Sequence, residues 1–316
     1  MIAYHILCHD NLKQVATLID ALYTDQDTFL IDIDHGQNPD MKPLSRFRFL
    51  PNVHITRDAN IGWGAGGTLR KTMKGAFALL EMNRDWQYYV VLSGQDLPLK
   101  SNDTIREVFT AGHAEKTNFI RCHLAEPVSL DAIPVNNTST QRKLWGDRGH
   151  TKIYGRAGTI DPQAHMYARR LVDVTEVADL GEVHVGTCDP LLMQRRDNFF
   201  DKYPFHVGAN WFNLHRSLIE YMVEDPLTYE MYDVMRTTFI PDESFFQTYI
   251  KSSPFRDTVS QHYGRLILRP APVGKVKVFE RTDWSTIEQS PDLFGRKFDT
   301  RHDSRIVSQV LSARAC

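Results

Sequence analysis

Cysteine is scarce and scattered, with four in 316 residues, at Cys8, Cys122, Cys188 and Cys316, and none in C-x-x-C spacing. That argues against a disulfide framework and fits reduced thiols. Long apolar runs are also missing. No segment reaches the length of a membrane-spanning helix, and the opening Met1–Asp10 is too short and too polar for a signal peptide. A cytoplasmic protein is the expectation. The net charge of -2 excludes a global pull toward nucleic acid or acidic lipid, so any anionic ligand must be met by local cations. There is no repeat, low-complexity tract or linker. What is present is ordinary: 42% hydrophobic and 24% charged residues, in a chain long enough to bury a core.

The first 125 residues alternate. Apolar runs predict strands at 2–7, 28–33, 53–55, 88–92 and 118–122. Helical spacing predicts helices over 12–22, 67–82 and 102–111, the second with Leu69, Met73, Ala76 and Leu80 on one face. Such a β-α-β rhythm implies a mostly parallel sheet covered on both faces, with ligands beyond the carboxyl ends of its strands. The loops after Ile33, Ile55 and Leu92 are therefore the places to look. From 126 to 201 the pattern weakens into polar and basic sequence, which predicts an irregular insertion. Beyond it the sequence predicts a strand over 206–214, helices over 218–223 and 229–236, a strand at 266–268 and a closing helix over 303–313.

Three motifs invite chemistry that their context does not support. Gly62-Trp63-Gly64-Ala65-Gly66-Gly67 contains G-x-G-x-x-G, but it follows the third strand, and the acid of a dinucleotide site is missing at its place. Close approach of backbone to a ligand or to the sheet is the better reading. Asp32-Ile33-Asp34 is a D-x-D that suits a divalent metal. An acid closing the second strand more often meets a base or ribose, and Asp34 is the candidate for that contact. His5 and Cys8 have zinc-ligand types but lie on opposite faces of a strand.

Two further segments have ligand-binding character. Ser93-Gly94-Gln95-Asp96-Leu97-Pro98 closes a hydrophobic strand, so Asp96 and the Ser93 backbone are candidate ligand contacts, with an Asx-type turn as the alternative. Pro241-Asp242-Glu243 precedes helical sequence, and both acids there could simply face the positive end of a helix dipole.

Taken in order, Ile2-Ala3-Tyr4-His5-Ile6-Leu7, Ile31-Asp32-Ile33-Asp34, Trp63-Gly64, Ser93-Gly94-Gln95-Asp96-Leu97-Pro98, Gly208-Ala209-Asn210-Trp211-Phe212, Pro241-Asp242-Glu243 and Leu293-Phe294-Gly295-Arg296-Lys297-Phe298-Asp299 run through nearly the whole chain. The sequence resembles the core-2/I-branching β-1,6-N-acetylglucosaminyltransferases and peptide O-xylosyltransferases, as a bacterial-type member. About residues 126–200 are not covered.

The resemblance implies a GT-A-like, Rossmann-type α/β fold in one domain over 1–316, with 1–125 as the nucleotide-binding half and 126–316 as the acceptor-binding and catalytic half. It implies inverting transfer of a sugar from a UDP-sugar to a glycan hydroxyl, without a metal or other cofactor. GlcNAc is the favoured sugar, with xylose or another as alternatives, and surface polysaccharide the expected product. Glu243 is implied as general base and Lys297 as a diphosphate contact, assisted by Arg281, Arg296 or Lys275, with Arg281 preferred. Ile31, Asp32, Asp34, Trp63, Ser93 and Asp96 are candidate nucleoside or donor contacts, although the family commonly has histidine where this chain has Asp32.

Asn210, Trp211, Asp242 and Trp145 are candidate acceptor contacts, with a buried core role the alternative for Trp211. Arg142, Lys143, Arg148, Lys152, Arg156, Arg169 and Arg170 read either as a solvated loop or as a contact for an anionic, lipid-linked acceptor at a membrane surface. Two other classes compete: a nucleotide-binding oxidoreductase built on the glycines, and a silent glycan-binding protein.

Overall fold

The computed structural model describes residues 1–34, 39–58, 64–82, 85–127, 166–167, 169–177, 182–270 and 276–314. The first part alternates as its periodicity predicts: β1 (Ile2–Cys8), α1 (Leu12–Leu22), β2 (Thr28–Asp34), β3 (Val53–Asp58), α2 (Gly66–Glu81), β4 (Tyr88–Ser93), β5 (Asp96–Pro98), α3 (Asn102–His113), β6 (Asn118–Phe119) and β7 (His123–Leu124). The second part contains β8 (Val172–Val177), β9 (Glu182–Thr187), α4 (Pro190–Lys202), β10 (His206–Val207), β11 (Asn213–His215), α5 (Arg216–Glu224), α6 (Pro226–Met235), α7 (Phe245–Ser252), β12 (Val259–Ser260), β13 (Arg265–Ile267), α8 (Trp284–Gln289), β14 (Phe294–Arg296) and α9 (Ser304–Ala313).

The main sheet has the order β12-β6-β11-β4-β1-β2-β3. Strands β4, β1, β2 and β3 run parallel, and β11 enters antiparallel between β4 and β6. This is the expected GT-A-like α/β architecture, a mostly parallel sheet with helices on both faces. Successive residues of β1 serve opposite faces, as a pleat requires. Ala3 packs with Leu69, Met73 and Ala76 of α2, while Ile2, Tyr4 and Ile6 pack with Val15, Leu18 and Ile19 of α1.

A second, three-stranded sheet, β13-β14-β5, lies beyond the end of β4. Its central strand β14 pairs antiparallel with β5 and puts Arg296 opposite Asp96. Beneath it, α9 supplies Ile306, Val307 and Val310 to a third apolar cluster with Leu97, Phe279 and Phe298.

Three expectations need correction. The strand predicted over 206–214 is two strands: β10 pairs with β7 and β11 pairs in the main sheet. Gly208 lies between them, where a Cβ would overlap the Arg121 carbonyl, so the chain leaves one sheet at a backbone crossing that excludes a side chain. The region read as irregular carries, in its described part, the antiparallel β8-β9 pair and α4. Finally, Arg169 and Arg170, read with the basic cluster as a solvated loop, are both buried. The other members of that cluster lie outside the described residues, as do Trp63, Trp145 and Lys275.

Candidate active site

The carboxyl end of β4 turns into β5 around a buried carboxylate. Asp96 accepts from the Ser93 amide at 2.8 Å and from the Ser93 hydroxyl at 2.9 Å, and faces Arg296 Nη1 at 3.3 Å. Asp96 is fully buried, so it holds the turn and its arginine rather than presenting oxygens to a ligand. Asp96 thus has a structural task in the turn, but its bond runs back to Ser93 N–H and not forward as in the Asx-type turn expected; the forward bond is made by the Ser93 hydroxyl to Gln95 N–H. Ser93 is committed the same way, since its hydroxyl also accepts from the Gln95 amide and from Arg296.

Arg296 sits over the ring of half-buried Trp211, its guanidinium carbon 3.8 Å from the ring centroid. Burial pulls its pKa below the ordinary arginine value, against the pull of the Asp96 and Glu243 charges. Next to it, Lys297 is half-buried, and its ammonium has no hydrogen-bond or ion-pair partner among the described residues. Burial lowers its pKa first, then repulsion from Arg296 and Arg269, while Asp96 acts in the opposite sense. Buried Asp96 thus acts on Arg296, Lys297 and buried Arg265, and Arg269 adds its charge beside Arg296 and Lys297. Such a place attracts a multiply charged anion.

Arg269, an exposed arginine that sequence reasoning did not single out, is one of the charges that act on both Arg296 and Lys297. It follows β13, the parallel neighbour of β14, and no motif marked it. Arg281, the preferred candidate, is exposed on a 3₁₀ turn, and it is not among the charges that act on Lys297.

Pro241–Glu243 forms a 3₁₀ turn rather than the first turn of α7. Ile240 enters it at φ 50°, left-handed backbone that a β-branched residue rarely adopts. The turn is held by Ile240 N–H donating to Gly64 O (2.8 Å) and Gly208 N–H donating to Glu243 O (2.7 Å). The Glu243 carboxylate is partly exposed and lies 3.1 Å from Arg169 Nη1. Its neighbour Asp242 is buried. Burial, reinforced by the Glu243 charge, pushes the Asp242 carboxyl up to about 7, with Arg169 opposing. Neither acid is a helix-dipole acid, and the two differ sharply in environment.

The remaining candidates divide. Ile31 is core, without exposed surface. Asp32 is buried and accepts from Lys71 Nζ at 2.8 Å, with His5 Nε2 at 3.7 Å on its other side. Burial opposes its ionisation, but His5 and Lys71 outweigh it and hold the carboxyl below its ordinary value. Asp32 is thus an internal counter-ion, and the His5 that looked like a zinc-ligand type is part of its support. Asp34 ends β2 in register with Asp58 and is partly exposed. Asn210 is buried with Oδ1 unpartnered beside Trp211. Gly64 has φ 86°, and a Cβ at Gly66 would overlap the Arg236 carbonyl, so both glycines have structural tasks. Among the described residues no cluster of His, Cys, Asp or Glu is set to hold a metal.

Comparison with known proteins turns this geometry into a family assignment. The sequence model of the Core-2/I-Branching enzyme family matches residues 2–131 and 181–298. The chain belongs to that family. Xylosyltransferase 2 of Bos taurus is 23% identical over 334 residues, covering 98% of this chain and 33% of that protein. Xylosyltransferase 2 of Mus musculus is 25% identical over 262 residues, covering 80% of this chain and 25% of that protein. The chain therefore spans about a third or less of the length of these curated relatives.

Among solved structures, mouse xyloside xylosyltransferase 1 in its apo form aligns with TM-score 0.30 at 10% identity over 80% of this chain and 83% of that one. S. aureus TarS 1–349 in complex with UDP-GlcNAc aligns with TM-score 0.26 at 11% identity over 42% of this chain and 38% of that one. As a member of the family, the chain has its matched segments on both sides of the site: Ser93 and Asp96 in the first, Trp211, Glu243, Arg296 and Lys297 in the second.

Proposed function

We propose that this protein is an inverting, metal-independent glycosyltransferase that moves a sugar from a UDP-sugar to a hydroxyl of a glycan acceptor. The observation that carries this reading is the cationic group of Arg296, Lys297 and Arg269, with the Arg296 end within electrostatic reach of the Glu243 carboxylate. Direct displacement needs both parts. The Glu243 carboxylate takes the proton of the acceptor hydroxyl as its oxygen attacks the anomeric carbon, which helps typically by about 10²- to 10⁴-fold. The bond from that carbon to the diphosphate breaks on the opposite face, which inverts the configuration. The leaving UDP carries away the bonding electrons as negative charge, and Lys297 and Arg296 stabilise it there.

Metal independence is supported by the fate of the D-x-D motif: Asp32 is already neutralised by Lys71. The donor is proposed as UDP-GlcNAc, with UDP-xylose the alternative that the names of the relatives suggest. The acceptor is proposed as a glycan or lipid-linked glycan in bacterial surface polysaccharide synthesis, at the cytoplasmic side with peripheral membrane contact.

The test is donor turnover and UDP binding measured in EDTA. The parent protein is expected to turn over without divalent cations. Glu243→Gln is expected to lose transfer by about 10²-fold or more while keeping its UDP-induced rise in Tm. Lys297→Ala is expected to lose most of that rise. Turnover by Glu243→Gln, or a strict need for manganese, would overturn the reading.

A further inference from the structure

The proposed base sits in an ion pair whose other half is unusually placed. Arg169 is 8% exposed, and its Nε and Nη1 have no hydrogen-bond partner. Burying a guanidinium without satisfying its donors is costly, and the closest charge relation open to this one is Glu243 Oε2 at 3.1 Å from Nη1. Its backbone is bound to the segment that leads into the same turn. Phe239 N–H donates to Arg169 O at 3.0 Å, and Val174 N–H donates to Thr237 O at 2.7 Å, so the segment entering β8 runs along the chain that leads into Pro241–Glu243. Val172, Val174 and Phe239 pack together with Ala65, and Ile240 packs against them. The side chain of Arg169 is thus tied to the acid within the turn, and its main chain to Phe239, two residues before the turn.

The groups facing Glu243 from each side explain why such a tie is needed. Asp242 adjoins it on the same turn, a buried carboxyl whose pKa the Glu243 charge raises. Arg296 of β14 attracts it from the donor side. Without a second cation, the Glu243 carboxylate would be drawn toward Arg296 and toward the space proposed for the diphosphate. A base must instead reach an acceptor hydroxyl across the anomeric centre from the leaving group.

We infer that Arg169 is a positioning residue, which holds the Glu243 carboxylate on the acceptor side, away from the diphosphate cations. This inference rests on the reading of Glu243 as base. Arg169 acts on the reaction through Glu243. The signature is a loss in kcat without a matching rise in either KM.

Four variants, Arg169→Ala, Arg169→Lys, Glu243→Gln and the double Arg169→Ala/Glu243→Gln, assayed with UDP-sugar and acceptor, test this. In Arg169→Ala, kcat is expected to fall about tenfold or more, with acceptor KM and the UDP-induced rise in Tm within about twofold of the parent. Added guanidinium is expected to restore part of the lost kcat, and Arg169→Lys to fall between alanine and parent. In a Glu243→Gln background, Arg169→Ala is expected to cost nothing further, because the two act as one unit.

A parent-like kcat in Arg169→Ala, or a loss wholly in acceptor KM, overturns the inference. If Arg169→Ala does not fold, Arg169→Lys with a kcat equal to the parent's overturns it instead. Turnover by Glu243→Gln removes the base assignment and this inference together. Loss in Glu243→Gln beside parent-like kcat in Arg169→Ala removes this inference alone.

Discussion

Burial separates two neighbouring carboxyls. Asp242 is enclosed and its carboxyl is pushed up to about 7, whereas Glu243 reaches the surface beside Arg169. The Asp242 shift has a consequence for stability. An unfolded aspartate ionises near about 4, so between about pH 4 and 7 the native state holds a proton that the unfolded state has released. Stability from this group is complete below about pH 4, falls as pH rises toward 7, and levels off above it, with a total on the order of a few kcal/mol. Asp242→Asn removes the ionisation. Its Tm is expected to exceed the parent's at pH 8 and to approach it at pH 5, and a difference independent of pH would show that Asp242 is not the source. Asparagine there keeps the size of the side chain, so packing alone gives no such pH dependence.

At the scale of elements, the site depends on close crossings of backbone. Gly75 of α2 faces β1, where a Cβ would overlap the His5 ring. The His5 ring bonds the Tyr89 hydroxyl at 2.7 Å and supports Asp32, so helix, strand and counter-ion meet at this glycine. Gly75→Ala improves helix propensity by up to ~1 kcal/mol, but the overlap costs about 1–3 kcal/mol. A net fall in the urea midpoint is expected, and a rise would mean that His5 moves freely.

The alternation of β1, α1, β2, α2 and β4 was legible in sequence because continuous apolar strands and helical stripes repeat there over six residues or more. β5 and β14 were not, since three residues carry no period, and β13 was read at 266–268, one residue late, but without its partner strands. Asp96 and Arg296 meet only through the register of those short strands, so their mutual neutralisation was hidden with them. Glu243 and Lys297 entered as candidates through motif order. Arg169 was not, because an arginine in a basic, polar stretch looks solvated until its burial against the turn is seen.

Across the whole molecule, the proposed donor end of the site is assembled from segments far apart in sequence, and one glutamine joins them. Gln14 of α1 is buried. Its Nε2 donates to Gly94 O at 3.1 Å and to Phe298 O at 2.7 Å, and its Oε1 accepts from Thr300 N–H at 2.8 Å. A first-helix residue thus fixes both the turn after β4 and the strap that carries Lys297. Phe298 N–H also donates to Gln95 O at 2.8 Å, which closes the same junction from the other side.

Gln14→Leu roughly keeps the volume and deletes these three bonds, with the long one from Asn11 Nδ2 at 3.5 Å, leaving two buried carbonyls and a half-buried amide without that partner. Each such group costs about 1–3 kcal/mol when left unsatisfied. The strap is the part best able to relieve that cost by shifting, since it is irregular backbone, whereas α1 is packed along its whole apolar face. Lys297 and Arg296 would move with it. The expected outcome is a protein that still folds, with a lower Tm and a weaker response of Tm to UDP, although Gln14 touches neither cation. An unchanged response beside a lowered Tm would show that the strap keeps its position without Gln14, and that the β13-β14-β5 sheet with the backbone bonds of Lys297 to Lys277 and Phe279 and of Phe298 to Gln95 is enough to hold the cations.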